Sequence, residues 1–109
     1  MGKYGNKKTI VDNIPFDSKA EAARYQELKL LEKAGEIRNL QLQPRFELVP
    51  KLPCGERAAY YTADFSYRDM TKGNKLVVED VKGYKQETSY VLRRKLFKWR
   101  NPDIIFREV

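Results

Sequence analysis

An aliphatic run at residues 76–78 (LVV), followed at once by charged residues, constrains the fold of this chain most. An unbroken aliphatic run is typical of a strand at the centre of a sheet, and it predicts a strand over residues 75–82. Glu79, Asp80 and Lys82 then lie at the carboxyl end of that strand rather than on an open face. With 109 residues, the chain has room for one domain and one core around such a sheet.

A helix with clear start and stop signals is predicted ahead of this strand. Ser18 is a good N-cap, Glu21 stands three residues on as a capping box requires, and Gly35 is the expected stop. At 100° per residue, one face of the helix collects the apolar residues that are predicted to face the core, namely Ala20, Ala23, Leu28, Leu31 and Ala34.

Strand-like segments fill the interval between this helix and the central strand. Residues 40–48 alternate in polarity but contain Pro44, which predicts an edge strand or a kinked pair of strands. Residues 58–68 are rich in aromatic residues and predict another strand. With residues 75–82 they predict a three-stranded antiparallel meander, and residues 9–17 predict one small strand before the helix.

A second helix is predicted over residues 87–100, capped by Thr88 or Ser89, and a closing strand follows it. Its apolar residues at i, i+4 and i+7 are predicted to pack on the sheet: Leu92, Leu96 and Trp99. The predicted fold class is therefore α/β (α+β), a central mixed sheet flanked by helices, in the order helix, three-stranded meander, helix, strand. Residues 1–9 are expected to form a flexible basic arm, and residues 10–109 a single domain.

The composition excludes several kinds of chemistry. The chain has no histidine and one cysteine, Cys54, so it cannot build a Ser-His-Asp or Cys-His catalytic site, a Cys/His zinc site or an internal disulfide. A metal would be held mostly by oxygen ligands, which favours Mg²⁺ or Mn²⁺. No apolar run approaches the roughly 18 residues of a membrane span, and no signal peptide is evident, so a cytoplasmic protein without a membrane partner is expected.

Asp64 and the pair Asp80 and Lys82 form the most informative constellation. Because strand side chains alternate, Asp80 and Lys82 share a face, and Asp64 on the neighbouring strand can lie beside Asp80. Two carboxylates can hold Mg²⁺ at ~2.1 Å, the metal can bind a phosphate and lower the pKa of a water, and a lysine can orient that water. Glu21 could supply a further carboxylate from the first helix.

Each of these residues also has a structural interpretation. An acid two residues before a lysine on a strand is often part of a solvated face or a cross-strand pair, and short motifs often match by chance. A capping box alone explains Glu21. The residues by themselves leave both interpretations open.

The linked order of motifs resembles a known family. The segments FDSKAEAARYQELKLLEKAGEI, YTADF and VVEDVKGY, then a basic helix and IIF, are similar to the phage endonuclease I type of Holliday-junction resolvase, within the PD-(D/E)XK nuclease superfamily. The chain also looks like a small phage-encoded family of this superfamily whose members share the start Lys-Tyr-Gly-Asn-Lys-Lys. The resemblance covers about residues 3–106 and implies a restriction-endonuclease-like core, a Mg²⁺ or Mn²⁺ cofactor and a homodimer.

The resemblance also implies roles for individual residues. The catalytic residues would be Glu21, Asp64, Asp80 and Lys82, and the metal ligands would be Asp64, Asp80, Glu21 and the main-chain carbonyl of Val81. The chain departs from the family at Ala63, where the superfamily often has proline. It also has Glu79 beside Asp80; alternation favours Asp80 as the ligand, and a β-bulge would exchange it for Glu79.

The positive charge is expected to bind DNA. The chain has 22 Lys+Arg against 15 Asp+Glu, a net charge of +7, and residues 81–100 hold seven basic residues against Glu87. The expected DNA contacts, to the backbone rather than to base edges, come from Lys3, Lys7, Lys8, Lys85, Arg93, Arg94 and Lys98. Arg94 and Lys98 are expected to form one exposed stripe, although a merely solvated helix face remains an alternative. Gln41 and Gln43 are expected on a solvated strand face, with a place near the catalytic water as the alternative.

The expected function is hydrolysis of phosphodiesters in branched DNA, above all Holliday junctions, by a metal-dependent endonuclease. Two symmetric nicks require two sites, and one chain of this length has one site, so a homodimer is expected. No nucleotide cofactor is expected, and a phage protein would act in the cytoplasm of its bacterial host. Two alternatives stay open: a nicking or repair endonuclease acting on other DNA, and a non-catalytic basic DNA-binding module that keeps the fold.

Overall fold

The computed structural model describes residues 8–81 and 87–109, in which helices and strands follow one another as in a mixed α+β protein. In chain order the elements are β1 (Thr9–Val11), β2 (Ile14–Phe16), α1 (Lys19–Lys33), β3 (Ile37–Leu42), β4 (Arg45–Val49), β5 (Ala59–Thr62), β6 (Phe65–Asp69), a short 3-10 helix (Met70–Lys72), β7 (Lys75–Asp80), α2 (Thr88–Arg100) and β8 (Ile105–Glu108).

A mixed four-stranded sheet in the order β3-β6-β7-β8 forms the centre of the fold. Strand β7 is antiparallel to β6 and parallel to β8, as expected for two strands joined through a helix. Val77 and Val78 are fully buried, one on each side of the sheet, which confirms that the aliphatic run forms an interior strand. The predicted mixed sheet with a helix on each face is therefore present.

The two faces of β7 contribute to two separate cores. Val77 packs with α1 and the β1–β2 hairpin, in a cluster that includes Leu28 and Phe65. Val78 packs with α2 and the β4–β5 hairpin, in a cluster built around Tyr61 and Phe97. Because alternation sends neighbouring residues of β7 to opposite cores, Glu79 and Asp80 also point in opposite directions.

Helix α1 begins and ends where the sequence predicted, but its buried face is rotated away from the predicted alanines. The Ser18 hydroxyl accepts the Glu21 N–H at 3.1 Å, and Gly35 has a left-handed φ of 82° just beyond the last turn. The prediction of the inner face is confirmed for Leu28 and Leu31, which are buried and half-buried. It was wrong for its alanines, because Ala20, Ala23 and Ala34 are exposed. The buried residues are Ala22, Tyr25 and Leu28, since the large ring of Tyr25 packs against Phe16 and sets the helix rotation.

The structure confirms a kinked pair of strands for residues 40–48, but residues 58–68 form two strands where one was predicted. Residues 40–48 and 58–68 each divide between two sheets, and the antiparallel meander consists of β3, β6 and β7 with the β4–β5 hairpin inserted. The break falls at Pro44, which has no N–H for a ladder and whose carbonyl accepts the Ala63 N–H at 3.0 Å.

The segment before α1 is a two-stranded hairpin, not one small strand. Asp12 and Asn13 have φ of 53° and 64°, the positive values that a tight two-residue hairpin turn requires. The hairpin already begins at Thr9, the last residue of the predicted arm, and residues 1–7 lie outside the described part of the chain.

Helix α2 presents the opposite face to the one predicted. Leu92 and Trp99 are 56% and 78% exposed, so the prediction that they pack on the sheet was wrong, and Leu96 is half-buried. Phe97 is buried instead, because its ring packs between those of Phe46 and Tyr61 at centroid distances of 4.8 and 5.1 Å. The aromatic cluster of the β4–β5 hairpin therefore decides the rotation of α2, and the hairpin was not evident from the sequence.

A buried ion pair ties α1 to the central strand. Glu79 has no exposed surface, and its two carboxylate oxygens accept from Arg24 Nε at 2.8 Å and Nη2 at 2.6 Å. The Tyr67 hydroxyl donates to the same carboxylate. Burial, together with this hydrogen bond and the negative charge, raises the pKa of Tyr67 to about 12, and the Glu79 carboxylate raises the pKa of the Arg24 guanidinium. Both groups therefore keep their protons at neutral pH.

Removing Arg24 should destabilise the protein strongly. Arg24→Met leaves the Glu79 charge buried without its guanidinium, so we expect a loss of about 3–5 kcal/mol in the free energy of unfolding, measured in urea. Replacing both residues with methionine should cost much less, because no lone buried charge remains. Glu27→Ala removes an exposed partner of the same arginine and should cost at most about 1 kcal/mol. Equal losses for Arg24→Met and Glu27→Ala would contradict a dominant buried pair.

Candidate functional site

Asp64 and Asp80 meet at the end of the central sheet. Phe65 of β6 pairs with Glu79 of β7, so the next residues on the two strands, Asp64 and Asp80, lie side by side. The Asp64 N–H is shared between the Glu79 carbonyl at 3.1 Å and Asp80 Oδ1 at 3.0 Å. In return, Asp64 Oδ2 accepts the Val81 N–H at 2.7 Å. The main chain of each strand thus holds the carboxylate of the other.

Asp80 is held from its other side by α2 and β8. It is only 1% exposed, and the Tyr90 hydroxyl lies 3.3 Å from its Oδ2 and 2.7 Å from Glu108 Oε2. One hydroxyl carries one proton, so Tyr90 donates to one carboxylate at a time, and the shorter contact is with Glu108. Arg94 Nη1 donates to the same Glu108 oxygen at 2.8 Å. A chain of polar contacts therefore runs from Asp64 through Asp80 and Tyr90 to Glu108.

The protonation of this network follows from its burial and charges. Burial, the hydrogen bond to Glu108 and the charge of Asp80 together raise the pKa of Tyr90, so its hydroxyl keeps its proton. The hydrogen bond from Tyr90 and the neighbouring Arg94 lower the pKa of Glu108. Tyr90 thus acts as a donor between two carboxylates, and Arg94 supplies positive charge at the end of the chain of contacts.

Sequence reasoning missed Tyr90 and Glu108. Glu108 lies beside Asp80 because β8 returns parallel to β7 in a register that pairs the two residues, and Tyr90 reaches Asp80 from α2. Glu108 stands 28 positions after Asp80 in the chain, with no local motif to mark it. Only the periodicity of α2 could have indicated Tyr90. It lies seven residues before the buried Phe97 and therefore on the same, inward-facing side of the helix.

Glu79 does not take the place of Asp80. The β6–β7 ladder runs from Phe65 and Glu79 to Asp69 and Lys75 without a register shift, so no bulge exchanges the two acids. Glu79 faces α1, where Arg24 and Tyr67 occupy its oxygens. Asp80 is the acid that lies beside Asp64, in agreement with the alternation argument.

Glu21 and Asp64 line a common cavity. This cavity, of about 290 Å³, lies between the β1–β2 hairpin, the first turn of α1 and the start of β6. Its lining residues are Ile14, Pro15, Phe16, Asp17, Glu21, Leu42, Gln43, Asp64 and Phe65. Gln43 was expected on a solvated strand face; it is exposed but lines the cavity, and its N–H donates to the Asp64 carbonyl at 2.9 Å. The cavity is thus lined by one amide residue and three carboxylic acids, namely Gln43, Asp17, Glu21 and Asp64.

The expected basic residues have different surroundings. Lys3, Lys7, Lys82 and Lys85 lie outside the described residues. Lys8 is exposed and pairs with Asp17 at 2.6 Å. Arg93 and Lys98 are exposed on α2; Arg93 donates to the Tyr60 carbonyl at 3.4 Å, and the Lys98 ammonium lies 5.1 Å from the centre of the Phe106 ring.

The expected stripe of Arg94 and Lys98 is not formed. The Arg94 side chain is only 20% exposed and pairs with Glu108, which is 32% exposed. The parallel strand β8 brings this acid under α2, so Arg94 turns inward while Lys98 stays at the surface. The spacing of four residues placed the two side chains on one side of the helix but could not reveal the acid beneath one of them.

The donor atoms at this site suit a hard divalent cation. Carboxylate and carbonyl oxygens are the ligands that Mg²⁺ and Mn²⁺ prefer, and the site offers the carboxylates of Asp64 and Asp80. Glu21 lines the same cavity as Asp64. Over residues 8–81 and 87–109, however, no group of three or more acidic or cysteine residues is close enough to hold a metal alone. A cation here would therefore need water or substrate oxygens to complete its coordination.

Neither helix in the described part of the chain is long and apolar enough to cross a membrane.

The family model described as "Protein of unknown function (DUF1064)" matches residues 1–109. No curated protein and no solved structure matches the chain.

Tyr90→Phe should raise the pKa of Glu108 towards its ordinary value, because the hydrogen bond that stabilises the carboxylate is lost. A folded-state pKa below the unfolded value contributes stability that is present at neutral pH and is lost as the pH falls through the folded value. The free energy of unfolding of Tyr90→Phe should therefore decrease less than that of the wild type between neutral pH and acid.

Carbon NMR of the Glu108 carboxyl and urea unfolding at several pH values measure the two effects. Tyr60→Phe is the matched control, since the Tyr60 ring lies under Arg45 on β4 and not beside Glu108. An unchanged Glu108 pKa in Tyr90→Phe would show that this hydrogen bond does not form.

Proposed function

We propose that this chain, which belongs to the DUF1064 family, is a metal-dependent endonuclease acting on branched DNA. The observation that carries the proposal is the reciprocal contact of Asp64 and Asp80 at the carboxyl end of a buried strand. Asp64 also lines a cavity together with Asp17 and Glu21, so the two acids stand in the kind of oxygen-rich surroundings that phosphodiester hydrolysis uses.

Asp64 and Asp80 would hold Mg²⁺ or Mn²⁺, with the Val81 carbonyl and Glu21 as further oxygen donors. When bound, the ion would polarise the scissile phosphate and lower the pKa of the attacking water. The chain's own residues set the geometry: the Asp64 N–H fixes Asp80, and the Val81 N–H fixes Asp64, so neither carboxylate has to be ordered when the ion arrives.

Lys82 is proposed as the residue that orients the water and offsets charge on the phosphate in the transition state. The proposal rests on its sequence position, two residues after Asp80, and on the resemblance to the PD-(D/E)XK nucleases. The same proposal includes a restriction-endonuclease-like core, a homodimer and a location in the cytoplasm of a bacterial host.

The distribution of charge supports DNA as the substrate. The chain carries a net charge of +7, and α2, which begins beside Asp80, has five basic and no acidic residues. Arg93 and Tyr90 line a shallow cavity of about 290 Å³ next to the site, so a basic side chain stands where a DNA strand would approach. Contacts of this kind bind phosphates and not base sequence, which suits recognition of a branch.

The test is cleavage of a synthetic four-way junction with Mg²⁺ or Mn²⁺. We expect Asp64→Asn, Asp80→Asn and Lys82→Ala each to lower the cleavage rate by at least about 100-fold, since each removes a charged group from the transition state. The asparagine variants keep an oxygen that can accept the hydrogen bonds seen in the structure, so they should fold. Asp103→Asn, in the exposed turn before β8, is the control and should cut normally.

The possible results separate the alternatives. Cleavage of linear duplex as fast as the junction would favour a nicking or repair endonuclease. DNA binding without cleavage in either metal would favour a non-catalytic module. Site variants that cut as well as the wild type would show that the assignment of the site is wrong.

A further inference from the structure

Helix α2 exposes an apolar surface on the side that faces away from the sheet. Trp99 is 78% exposed and Leu92 is 56% exposed, and Lys95 lies between them on the same face, opposite the buried Phe97. Exposed apolar groups of this size mark sites of interaction when they cluster. We call Leu92, Lys95 and Trp99 the outer face of α2.

The outer face is surrounded by positive charge. The basic residues of α2 are Arg93, Arg94, Lys95, Lys98 and Arg100, and the helix has no acidic residue. Arg94 forms an ion pair with Glu108, so its charge is compensated. Arg93 and Arg100 donate only to main-chain carbonyls, those of Tyr60 and Leu48, so their positive charges are not compensated by these contacts. A partner for this surface must therefore be negatively charged and must also offer flat apolar groups.

A second copy of the chain fits these requirements poorly. A two-fold contact through α2 would bring two sets of five basic residues together. The outer face also centres on one large side chain, and an aromatic residue buries about 150–250 Å², far below the roughly 800 Å² per partner of a stable interface. Nucleic acid with unstacked bases combines negative phosphates with exposed aromatic faces, and fits both requirements.

The distance between Trp99 and the candidate site is one that a single DNA strand can span. Tyr90, at the start of α2, contacts Asp80, and Trp99 stands nine positions later on the same helix. At 1.5 Å per residue the separation along the helix axis is about 13 Å. Tyr90 and Trp99 lie on opposite sides of a helix about 10 Å across, so the straight separation is about 17 Å, or about five nucleotides at 3.4 Å per step. A DNA strand bound at the site would therefore reach Trp99 by passing around α2.

We propose that the outer face of α2 binds unpaired or unstacked bases of branched DNA, with Trp99 stacking on a base while the neighbouring basic residues bind phosphates. The inference rests on the proposed function in that DNA is the substrate, but it does not depend on cleavage. It assigns the recognition of the branch to an aromatic contact and the general affinity for DNA to the charges.

The experiment uses the fluorescence of Trp99, the single tryptophan of the chain. The protein is titrated in EDTA with a four-way junction and, separately, with a linear duplex of the same sequence. We expect the junction to quench Trp99 and the linear duplex to quench it much less. Binding of labelled DNA, followed by anisotropy, should weaken about 10-fold for the junction in Trp99→Ala and change less than about twofold for the linear duplex.

Two further variants control this result. Trp99→Phe should retain part of the preference for the junction, because a smaller ring still stacks. Leu30→Ala removes a side chain that is 68% exposed on α1 and should leave binding of both DNAs unchanged.

The outcomes are distinct from those of the cleavage test. An equal loss of affinity for both DNAs in Trp99→Ala would overturn the stacking contact. A blue shift of Trp99 emission with rising protein concentration and no DNA would overturn it in favour of a protein interface. If the junction quenches Trp99 but the protein never cleaves DNA, the inference is supported and the proposed catalysis is contradicted. If the protein cleaves the junction but Trp99 emission does not change, the proposed catalysis is supported and the inference is contradicted.

Discussion

The buried ion pair between Glu79 and Arg24 is the contact on which the arrangement of this protein depends. A carboxylate with no exposed surface is tolerated only with a charged partner and further donors, and α1 supplies the guanidinium while β6 supplies Tyr67. The pair therefore fixes the position of α1 along β7. Because Glu21 lies one turn before Arg24, the same contact brings Glu21 to the cavity that Asp64 lines.

Because side chains alternate along β7, the neighbouring acids Glu79 and Asp80 face opposite sides of the sheet and have different roles. Glu79 points to α1 and holds the layers together, whereas Asp80 points to the other side, where Asp64, Tyr90 and β8 surround it. A shift of one residue in the β6–β7 register would exchange these environments. The candidate site therefore depends on the correct register of the central ladder, and the ion pair on the opposite face opposes such a shift.

Sequence patterns predicted those parts of the fold that depend on residues close together in the chain. The capping residues of α1, the buried run of β7 and the adjacency of Asp64 and Asp80 follow from periodicity and alternation. The rotation of both helices did not, because it depends on large side chains that meet distant partners: Tyr25 on Phe16, and Phe97 on the β4–β5 hairpin. Glu108 could not be found either, since a parallel strand pairs residues far apart in the chain.

The aromatic cluster beneath α2 holds that helix at both of its ends. Phe97 packs against Tyr61, and Tyr61 also lies 6.3 Å from the Tyr90 ring, so the cluster supports the helix at its start and near its end. A helix held at two points cannot rotate without breaking these contacts. Tyr90 is therefore kept beside Asp80, and Trp99 is kept facing outward at a fixed interval from it. The packing of the core therefore sets the distance between the candidate site and the outer face of α2, and surface side chains do not.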